Sequence, residues 1–319
     1  MTTSHPVASS NDTEINPAQV RYIKLGQGGK WEKECVEKGI VRYGFDSASA
    51  DRFPRKWDEL RASFLADPRM IKGTATRFTN ETRLFFEDDG STLWITFVGE
   101  KLYWGFLTPD APQRHSDGDG VWRTVKGGWK WKAINGDPLT RDRLWGGLTK
   151  LAAYRGTSCR VDVEKYVMRR INGKKTKEVE DAVAATQALK TSVQKLLTKL
   201  GPDDFETIVD LVFTSSGWRR LGKVGGTQKT IDMDLELPTT KERAFVQVKT
   251  KTTATELEEY VDKFEESAFG DLYDRMFYVY HSGPAVTDTG DSVTIIGPDK
   301  LAEVVLDAGL VNWLIRKVS

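Results

Sequence analysis

The chain has 319 residues, of which 39% are hydrophobic, 29% are charged and 10% are aromatic. That length suggests about two domains with apolar cores of their own, and no run of about 18 apolar residues is present to span a membrane. Two cysteines and three dispersed histidines exclude a disulfide framework, a four-cysteine zinc site and a histidine-rich metal site. The formal net charge is +1, but residues 1–200 carry 34 basic and 25 acidic side chains, whereas residues 201–319 carry 13 and 21. This asymmetry predicts two units with different electrostatic roles.

The N-terminal region has features of a tail followed by a small domain. Residues 1–19 contain neither a basic start nor an apolar segment of the kind that a secretory signal has, so we expect a disordered tail and a cytoplasmic protein. Eight of the ten tryptophans then lie in the first 150 residues. Residues 92–98 and 101–106 are dense in β-forming residues around a short turn, which predicts a hairpin. Helical spacing is found over 32–37 and 56–65. These patterns predict a mixed α/β or β-barrel-like domain.

A change of composition marks the middle of the chain. Residues 175–200 have apolar positions near helical spacing and no Gly or Pro, which predicts one helix that joins the two domains. Gly201 and Pro202 end this helix. Asp203 then caps a second helix, and Glu206 follows three residues later, at the position of a capping-box partner.

Strand and helix patterns alternate in the rest of the chain, which favours an α/β sheet of modest size. We predict strands over 230–237, 244–250, 276–282 and 293–297, a helix over 255–267 that Thr255 caps with Glu258, and one or two closing helices. The predicted architecture is an α/β protein with a tail over 1–19, a first domain over 20–174, a connecting helix over 175–200 and a second domain over 201–319.

Two neighbouring predicted strands place side chains with metal and phosphate chemistry on one side of a hairpin. Asp232, Asp234 and Glu236 alternate on one face of the first strand, and Gln247 and Lys249 share a face of the second. Carboxylate and carbonyl oxygens bind Mg²⁺, and the bound ion polarises a phosphodiester oxygen and lowers the pKa of a water. A lysine can orient or deprotonate that water, or neutralise charge that develops on the phosphate.

Further residues flank this hairpin. The carboxylate of Glu206 can approach the same site, although a capping role explains this residue equally well. A glycine-rich loop over 222–229 leads into the first strand, and its glycines let backbone N–H groups approach a phosphate. Lys223 and Lys229 add positive charge there. An ordinary hairpin with a polar outer face is the alternative interpretation of the whole pattern.

The arrangement of Glu206, Asp232 and Gln247-Val248-Lys249 resembles the PD-(D/E)xK nuclease superfamily. It looks most like the Mrr-like restriction endonucleases, in which a Q-x-K pattern commonly replaces E/D-x-K. The resemblance implies a restriction-endonuclease-like α/β domain in which Asp232 binds the metal, Gln247 completes the metal shell and the Val248 carbonyl adds an oxygen. It also implies that Lys249 is catalytic and that Glu206 assists. The implied cofactor is Mg²⁺, with Mn²⁺ as a substitute.

The resemblance spans roughly residues 203–281 and leaves one ligand open. Asp234 shares a face with Asp232, and either carboxylate fits the metal-binding position. Asp232 is preferred because it closely follows the glycine-rich loop, where the acid of the family usually lies.

The first domain resembles PUA-like modules, the EVE type among them, which occur fused to nucleases. The likeness depends on the stretch RYIKLGQGGKWEKECVEKGIVRYGF and on the hairpin segments WITF and LYWGF. It implies a mixed α/β barrel with a pocket for a flipped, modified base, which needs aromatic faces to stack on and polar groups for its edge. The implied nucleic-acid-binding residues are Lys24, Trp31, Trp94, Tyr103 and Trp104. The competing interpretation is that tryptophans in a small β-rich domain are core residues.

Together these patterns predict a Mg²⁺-dependent DNA endonuclease, a modification-dependent restriction enzyme that hydrolyses the phosphodiester bonds of foreign DNA such as that of phage. The expected partner is DNA with modified bases and no membrane, and a homodimer is compatible with cleavage of two strands. Two alternatives stay open. A reader protein with an inactive nuclease-like domain is favoured by the acidic second domain, which repels DNA when no metal is bound. An RNA-directed nuclease or reader is the other.

Overall fold

The structure is a computed structural model, which describes residues 14–44, 56–221, 232–266, 272–284 and 292–319. Its contacts divide the chain into two compact units, Met1–Thr176 and Lys177–Ser319. The boundary falls where the composition of the sequence changes. The helix that the sequence predicts as a connector therefore belongs to the second unit. No helix among the described residues is both long enough and apolar enough to cross a lipid bilayer.

The first unit contains strands and helices in alternation. Its described strands are β1 (Gln19–Ile23), β2 (Ile40–Tyr43), β3 (Thr92–Val98), β4 (Lys101–Phe106), β5 (Gln113–Arg114), β6 (Val121–Thr124) and β7 (Ser158–Arg160). Its described α-helices are α1 (Glu32–Lys38), α2 (Trp57–Leu65), α3 (Lys72–Glu87), α4 (Gly146–Thr149) and α5 (Glu164–Ile171). Short 3₁₀ helices lie at Gln27–Gly29, Arg141–Arg143 and Lys150–Ala153. The hairpin predicted over 92–98 and 101–106 is confirmed as β3 and β4.

Two open sheets form the framework of this unit. One has the order β4-β3-β1-β7, with β1 parallel to β3 and the other pairs antiparallel. The other has the order β2-β6-β5 and is antiparallel. Neither sheet closes into a barrel within the described ranges, so two open sheets replace the predicted barrel. The mixed α/β character is confirmed.

Buried cations connect the elements of the first unit. Arg123 on β6 is 2% exposed, and its guanidinium donates to the carbonyls of Phe85, Asp88 and Thr108 at 2.7, 2.7 and 2.6 Å. Phe85 lies in the last turn of α3, Asp88 follows that helix and Thr108 follows β4. Because backbone carbonyls at such ends lack regular partners, the Arg123 guanidinium supplies hydrogen bonds that water would otherwise provide. Arg123 therefore holds a helix, a loop and a strand together.

The described N-terminal residues are attached to the first unit. The N–H of Ile15 donates to the side-chain oxygen of Asn172, and the Asn172 amide donates back to the Ile15 carbonyl, each at 3.0 Å. The start of β1 at Gln19 follows directly. Of the predicted tail, residues 1–13 lie outside the described part of the chain, whereas Glu14, Ile15, Ala18 and Gln19 contact partners in the first unit.

The second unit is an α/β sheet with helices on both faces. Its described strands are β8 (Arg219–Arg220), β9 (Met233–Glu236), β10 (Arg243–Lys251), β11 (Arg275–Ser282) and β12 (Val293–Ile296). Its described helices are α6 (Lys177–Leu197), α7 (Pro202–Ser215), α8 (Ala254–Glu266), α9 (Pro298–Asp307) and α10 (Val311–Val318). The sheet order is β12-β11-β10-β9-β8. The strands β10, β11 and β12 are parallel, and β8 and β9 are antiparallel additions to them.

Side chains on β10 alternate between two cores. Val246 and Val248 join a buried cluster that includes Phe205 of α7, whereas Phe245 joins a second cluster that includes Leu257 of α8. Alternation of this kind follows from the period of two in a strand. As a result, Gln247 and Lys249 share a face, as the sequence predicts, and this is the face that α8 covers.

The predicted cap of α7 is wrong. The helix begins at Pro202 with Gly201 as its N-cap residue, and no side chain caps it. Pro202 suits the first helical position because its missing N–H would have no partner there. Asp203 and Glu206 therefore lie inside the helix and do not form a capping box.

The predicted cap of α8 is displaced by two residues. Thr253 precedes the helix, and its hydroxyl accepts a hydrogen bond from the N–H of Glu256 at 3.2 Å. The capping sequence is thus Thr253 with Glu256, not Thr255 with Glu258. This shift places the carboxylate of Glu256 in the first turn, next to the end of β10.

Candidate functional site

The hairpin of β9 and β10 brings three of the predicted residues together. One carboxylate oxygen of Asp232, Oδ2, accepts a hydrogen bond from Nε2 of Gln247 and another from the N–H of Val248, both at 2.6 Å. Asp232 stands just before β9, and its own N–H donates to the carbonyl of Val246 at 3.2 Å. Gln247 and Val248 therefore hold the carboxylate against the edge of β10, and Val246 holds the backbone of Asp232 there.

The electrostatic environment of Asp232 is that of a partly buried acid. Burial raises its pKa, while the N–H of Val248 and the charges of Lys249 and Arg220 oppose that rise without cancelling it. The interaction with Lys249 places both side chains in one electrostatic neighbourhood, although they are not hydrogen-bonded to each other. An acid whose ionised form is disfavoured in this way gains from a cation that supplies charge.

The structure distinguishes between the two carboxylates that the sequence leaves open. Asp234 accepts two hydrogen bonds from the guanidinium of Arg243, at 3.2 and 3.0 Å. It pairs in register with Phe245, two residues away from the position opposite Gln247. Since Asp234 is already paired with a cation and lies further along the hairpin, Asp232 is the carboxylate that the described geometry offers as a ligand.

Lys249 lies on the expected face but is held by helix α8. Its Nζ is 3.2 Å from Oε1 of Glu256 and 5.0 Å from the ring centre of Tyr260. Burial by itself lowers the pKa of Lys249, but the hydrogen bonds to Tyr260 and Glu256 raise it above the ordinary value. Lys249 is therefore an ammonium ion at neutral pH, suited to neutralising negative charge and not to removing a proton.

Helix α7 adds acidic residues beside the hairpin. Burial and the neighbouring carboxylates of Asp232 and Asp203 raise the pKa of Glu206, and Arg220 lowers it. The structure removes the capping role of Glu206 and leaves its electrostatic interactions with Asp232, Asp203 and Arg220. Arg220, on β8, donates to the carbonyl of Asp232 at 3.1 Å.

The oxygens at the hairpin fit a hard divalent cation. The side-chain carbonyl oxygen of Gln247 is buried and has no hydrogen-bond partner among the described residues. The carbonyl of Val248 points to the same edge as its N–H, and therefore towards Asp232. Carboxylate, amide and backbone oxygens are the ligands that Mg²⁺ accepts. Within the described ranges no three His, Cys, Asp or Glu side chains form a metal-binding group, so a metal here would depend on the amide and backbone oxygens as well.

In the first unit, two of the predicted aromatic residues belong to the core instead. Trp94 is fully buried, and its indole N–H donates to Asp88 at 2.7 Å. Trp104 is 3% exposed, and its N–H donates to the carbonyl of Lys132 at 2.8 Å. Their ring faces are covered by protein and are not open to a base. Tyr103 is half-buried on β4 and does not line the cavity that contains Trp31.

The structure does bring Lys24 and Trp31 to one cavity. This cavity has a volume of about 630 Å³. Its charged and aromatic lining residues are Lys24, Lys30, Trp31, Asp117, Asp119 and Arg155. Lys30 pairs with Asp119, whereas Lys24 and Arg155 form no ion pair with the described part of the chain. The cavity thus offers two free cations to an anionic ligand.

Trp31 forms part of the floor of this cavity and is not a free stacking platform. It is 6% exposed, with Nζ of Lys30 4.5 Å and the guanidinium carbon of Arg42 4.4 Å from its ring centre. A Cβ added at Gly44 would lie 2.5 Å from the Trp31 ring, so a side chain there would displace the indole. Glycine at this position is what allows the ring to lie against the chain.

Some predicted residues remain without a structural description, and others were missed. Lys223 and Lys229, with the glycine-rich loop around them, lie outside the described residues. Arg220 and Glu256 were not among the predicted residues. Glu256 had a signal in the sequence, since it begins a helix that directly follows the strand of Lys249. Arg220 had none, because its role depends on pairing between β8 and β9.

No family model, no curated protein and no solved structure matches this chain. The chemistry of the two regions therefore has to be inferred from their own residues.

Proposed function

We propose that the chain is a Mg²⁺-dependent DNA endonuclease of the restriction type, with a restriction-endonuclease-like second unit and a PUA-like first unit that reads a modified base. The observation that supports this most is the set of oxygens at the hairpin. Asp232 is held by Gln247 and Val248, and the buried carbonyl oxygen of Gln247 lacks a partner among the described residues. Such an arrangement leaves the amide oxygen and the second carboxylate oxygen for a cation.

Asp232, Gln247 and the Val248 carbonyl would hold the ion, and Mn²⁺ would substitute for Mg²⁺. When bound, the ion supplies polarisation of a phosphodiester oxygen and a lowered pKa for an attached water. Lys249, as an ammonium ion, neutralises charge that develops on the phosphate. Burial and the neighbouring carboxylate of Asp232 raise the pKa of Glu206, so its carboxyl holds a proton more readily than that of an ordinary glutamate and suits proton transfer.

The first unit would bind the substrate through the cavity that contains Lys24 and Trp31. Lys24 and Arg155 line the cavity and suit a phosphate group, because neither forms an ion pair with a described carboxylate. The backbone groups of the glycines that line the cavity suit the edge of a base. A modified base in foreign DNA is the ligand class that this combination serves.

The test is a cleavage assay on phage or plasmid DNA, with modified and unmodified substrates, in Mg²⁺, in Mn²⁺ and in EDTA. We expect cleavage that needs the metal and that Lys249→Ala and Asp232→Asn abolish. Lys251→Ala, in the same strand but exposed beyond the site, is the matched control. If the parent protein cuts neither DNA with either metal, the proposed activity is wrong. Competition by single-stranded RNA shows whether RNA is the preferred substrate.

A second candidate function is a reader protein whose nuclease-like unit is inactive. The pairing of Lys249 with Glu256 favours it, because an ammonium ion already bound by a carboxylate has less charge to offer a phosphate. Titration with Mn²⁺ separates the two functions. An inactive unit would show no metal binding that depends on Asp232, while DNA binding through the first unit would persist.

A further inference from the structure

We propose that Arg220 is the phosphate-binding residue of the candidate site, with a phosphodiester as its ligand. This inference depends on the proposed function, because it adds a substrate contact to the same hairpin. Three features of Arg220 support it: the position of its guanidinium, the small number of its donors that are used, and the acids that surround it.

The position of Arg220 is fixed by the sheet. It lies on β8, opposite Leu235 of β9 in the antiparallel register. Cross-strand neighbours share a face, and Leu235 belongs to the core that α7 covers. The side chain of Arg220 therefore lies on the α7 side of the sheet edge, and one of its terminal nitrogens, Nη2, reaches the Asp232 carbonyl at 3.1 Å.

Most of the guanidinium donors are unused. A guanidinium has five N–H groups. Among the described residues, the Arg220 side chain forms one hydrogen bond, to the Asp232 carbonyl. The nearest carboxylate oxygen is Oδ1 of Asp210, at 3.8 Å from Nη1, which is outside hydrogen-bond distance. The Arg220 side chain is 38% exposed, so its remaining donors are accessible to a ligand from solvent.

The neighbouring acids explain why a cation is placed there without being tightly bound. Glu206 and Asp210 are four residues apart on α7 and so share one side of that helix. Arg220 interacts electrostatically with Glu206 and with Asp232. A cation that is attracted to several acids at a distance keeps its position and still has donors for an anion. Two parallel N–H groups match two phosphate oxygens, a geometry that lysine does not offer.

The test measures DNA binding and cleavage separately in the full chain. Binding of a short fluorescein-labelled duplex is followed by anisotropy in Ca²⁺ at several salt concentrations, and cleavage is followed in Mg²⁺. For Arg220→Ala we expect the slope of log K against log salt to fall by about 0.9, the value for one lost phosphate contact. We also expect kcat to fall by about 100-fold. Arg220→Lys should keep the salt slope and fail to restore kcat, since it keeps the charge without the paired donors.

Arg219 provides the matched control. It is the adjacent residue in β8, is also exposed, and pairs with Glu236 on the α8 face. Glu236 lies opposite Arg243, four residues along β10 from Gln247, so Arg219 lies away from the site along the strands. Arg219→Ala should leave both the salt slope and kcat at the parent values. An equal loss in the two alanine variants would overturn the proposal, because the effect would then be one of general surface charge.

The remaining outcomes also decide. If Arg220→Ala unfolds more easily in urea but binds and cuts DNA as the parent does, Arg220 is only a counter-ion for the acids, and the proposal is wrong. If the alanine variant does not fold, Arg220→Gln is used, which retains a donor for the Asp232 carbonyl and removes the charge. Parent protein that cuts no DNA would refute the proposed function and this proposal together. A parent that cuts, with an Arg220→Ala variant that behaves identically, would refute this proposal alone.

Discussion

Replacing Asp232 with asparagine should separate the stability of the second unit from its ability to bind a metal. The side chain keeps its shape, and an amide oxygen in place of Oδ2 still accepts from Gln247 and from the Val248 N–H. What changes is the charge. The pKa of Asp232 is raised because burial outweighs the favourable contacts, which means that the surroundings prefer the neutral form.

The sign of the stability change follows from that direction. Each unit by which a carboxyl pKa is raised corresponds to about 1.4 kcal/mol in favour of the neutral form. Weaker hydrogen bonds to a neutral acceptor are already included in this balance. In EDTA, the free energy of unfolding of Asp232→Asn should therefore exceed that of the parent by up to about 1 kcal/mol. Loss of an ordinary carboxylate with two hydrogen bonds of this length would cost about 2–3 kcal/mol or more.

The pH dependence gives a second readout of the same residue. A carboxyl with a raised pKa binds its proton more tightly in the folded state, so it favours folding at low pH and opposes it as pH rises through the folded value. The stability of the parent in EDTA should thus decline relative to the variant as pH rises from about 4 towards neutrality.

Urea unfolding in EDTA and calorimetric titration with Mn²⁺ measure the two properties. We expect a folded Asp232→Asn protein that binds no Mn²⁺ at the hairpin. Asp234→Asn is the control, because it loses a partly exposed pair with Arg243, worth at most about 1 kcal/mol, and should keep metal binding. An Asp232→Asn variant that binds Mn²⁺ as the parent does, or that is destabilised by more than about 3 kcal/mol, would contradict this role of Asp232.

Three further substitutions test other parts of the molecule. Hydrogen bonds from Lys38 and Arg42 lower the pKa of Glu34 to about 2. Glu34 therefore stabilises the folded protein above about pH 4.5, and this contribution is lost as the pH falls towards 2. Thermal melts of Glu34→Gln should show a weaker loss of stability over that acid range. Trp94→Phe leaves Asp88 without its indole donor and should lower the free energy of unfolding in urea by about 1–3 kcal/mol. DNA affinity should stay unchanged, and a reduced affinity would contradict the core position of Trp94. Glu256→Gln removes the carboxylate that positions Lys249, so cleavage should slow by about tenfold, while the free energy of unfolding changes by less than about 1 kcal/mol. An unaltered rate would show that the ion pair of Lys249 with Glu256 is irrelevant to the reaction.

The hairpin could be predicted from the sequence because its information is local. The alternation of Asp232, Asp234 and Glu236 with apolar residues determines which side chains share a face. The return strand repeats the same period around Gln247 and Lys249, so the two faces could be matched before the structure was known. The structure confirms this pairing of faces and adds the hydrogen bonds between them.

Other features depended on contacts that no local pattern contains. Trp94 and Trp104 lie on the same strands whether they face a ligand or the core. Packing decides which: Trp94 shares a buried cluster with Phe85 of α3, and Trp104 shares another with Val167 of α5. The cap of α7 was misplaced because Asp203 has a strong capping propensity, while Pro202 suits the first turn better. Arg220 was missed because its neighbours lie on α7 and next to β9, which are separate elements in the sequence, and only the fold brings them together.

The parallel pairing of β10 with β11 requires the chain to cross from one end of the sheet to the other, and α8 is that crossover. Lys249 belongs to the strand, yet its ammonium group is anchored to the crossover through Glu256. A transient opening of α8 would therefore detach the lysine while the bonds between Asp232 and β10 stayed closed. Hydrogen exchange in α8 would then report the fraction of molecules in which the lysine is released, ahead of any melting of the sheet.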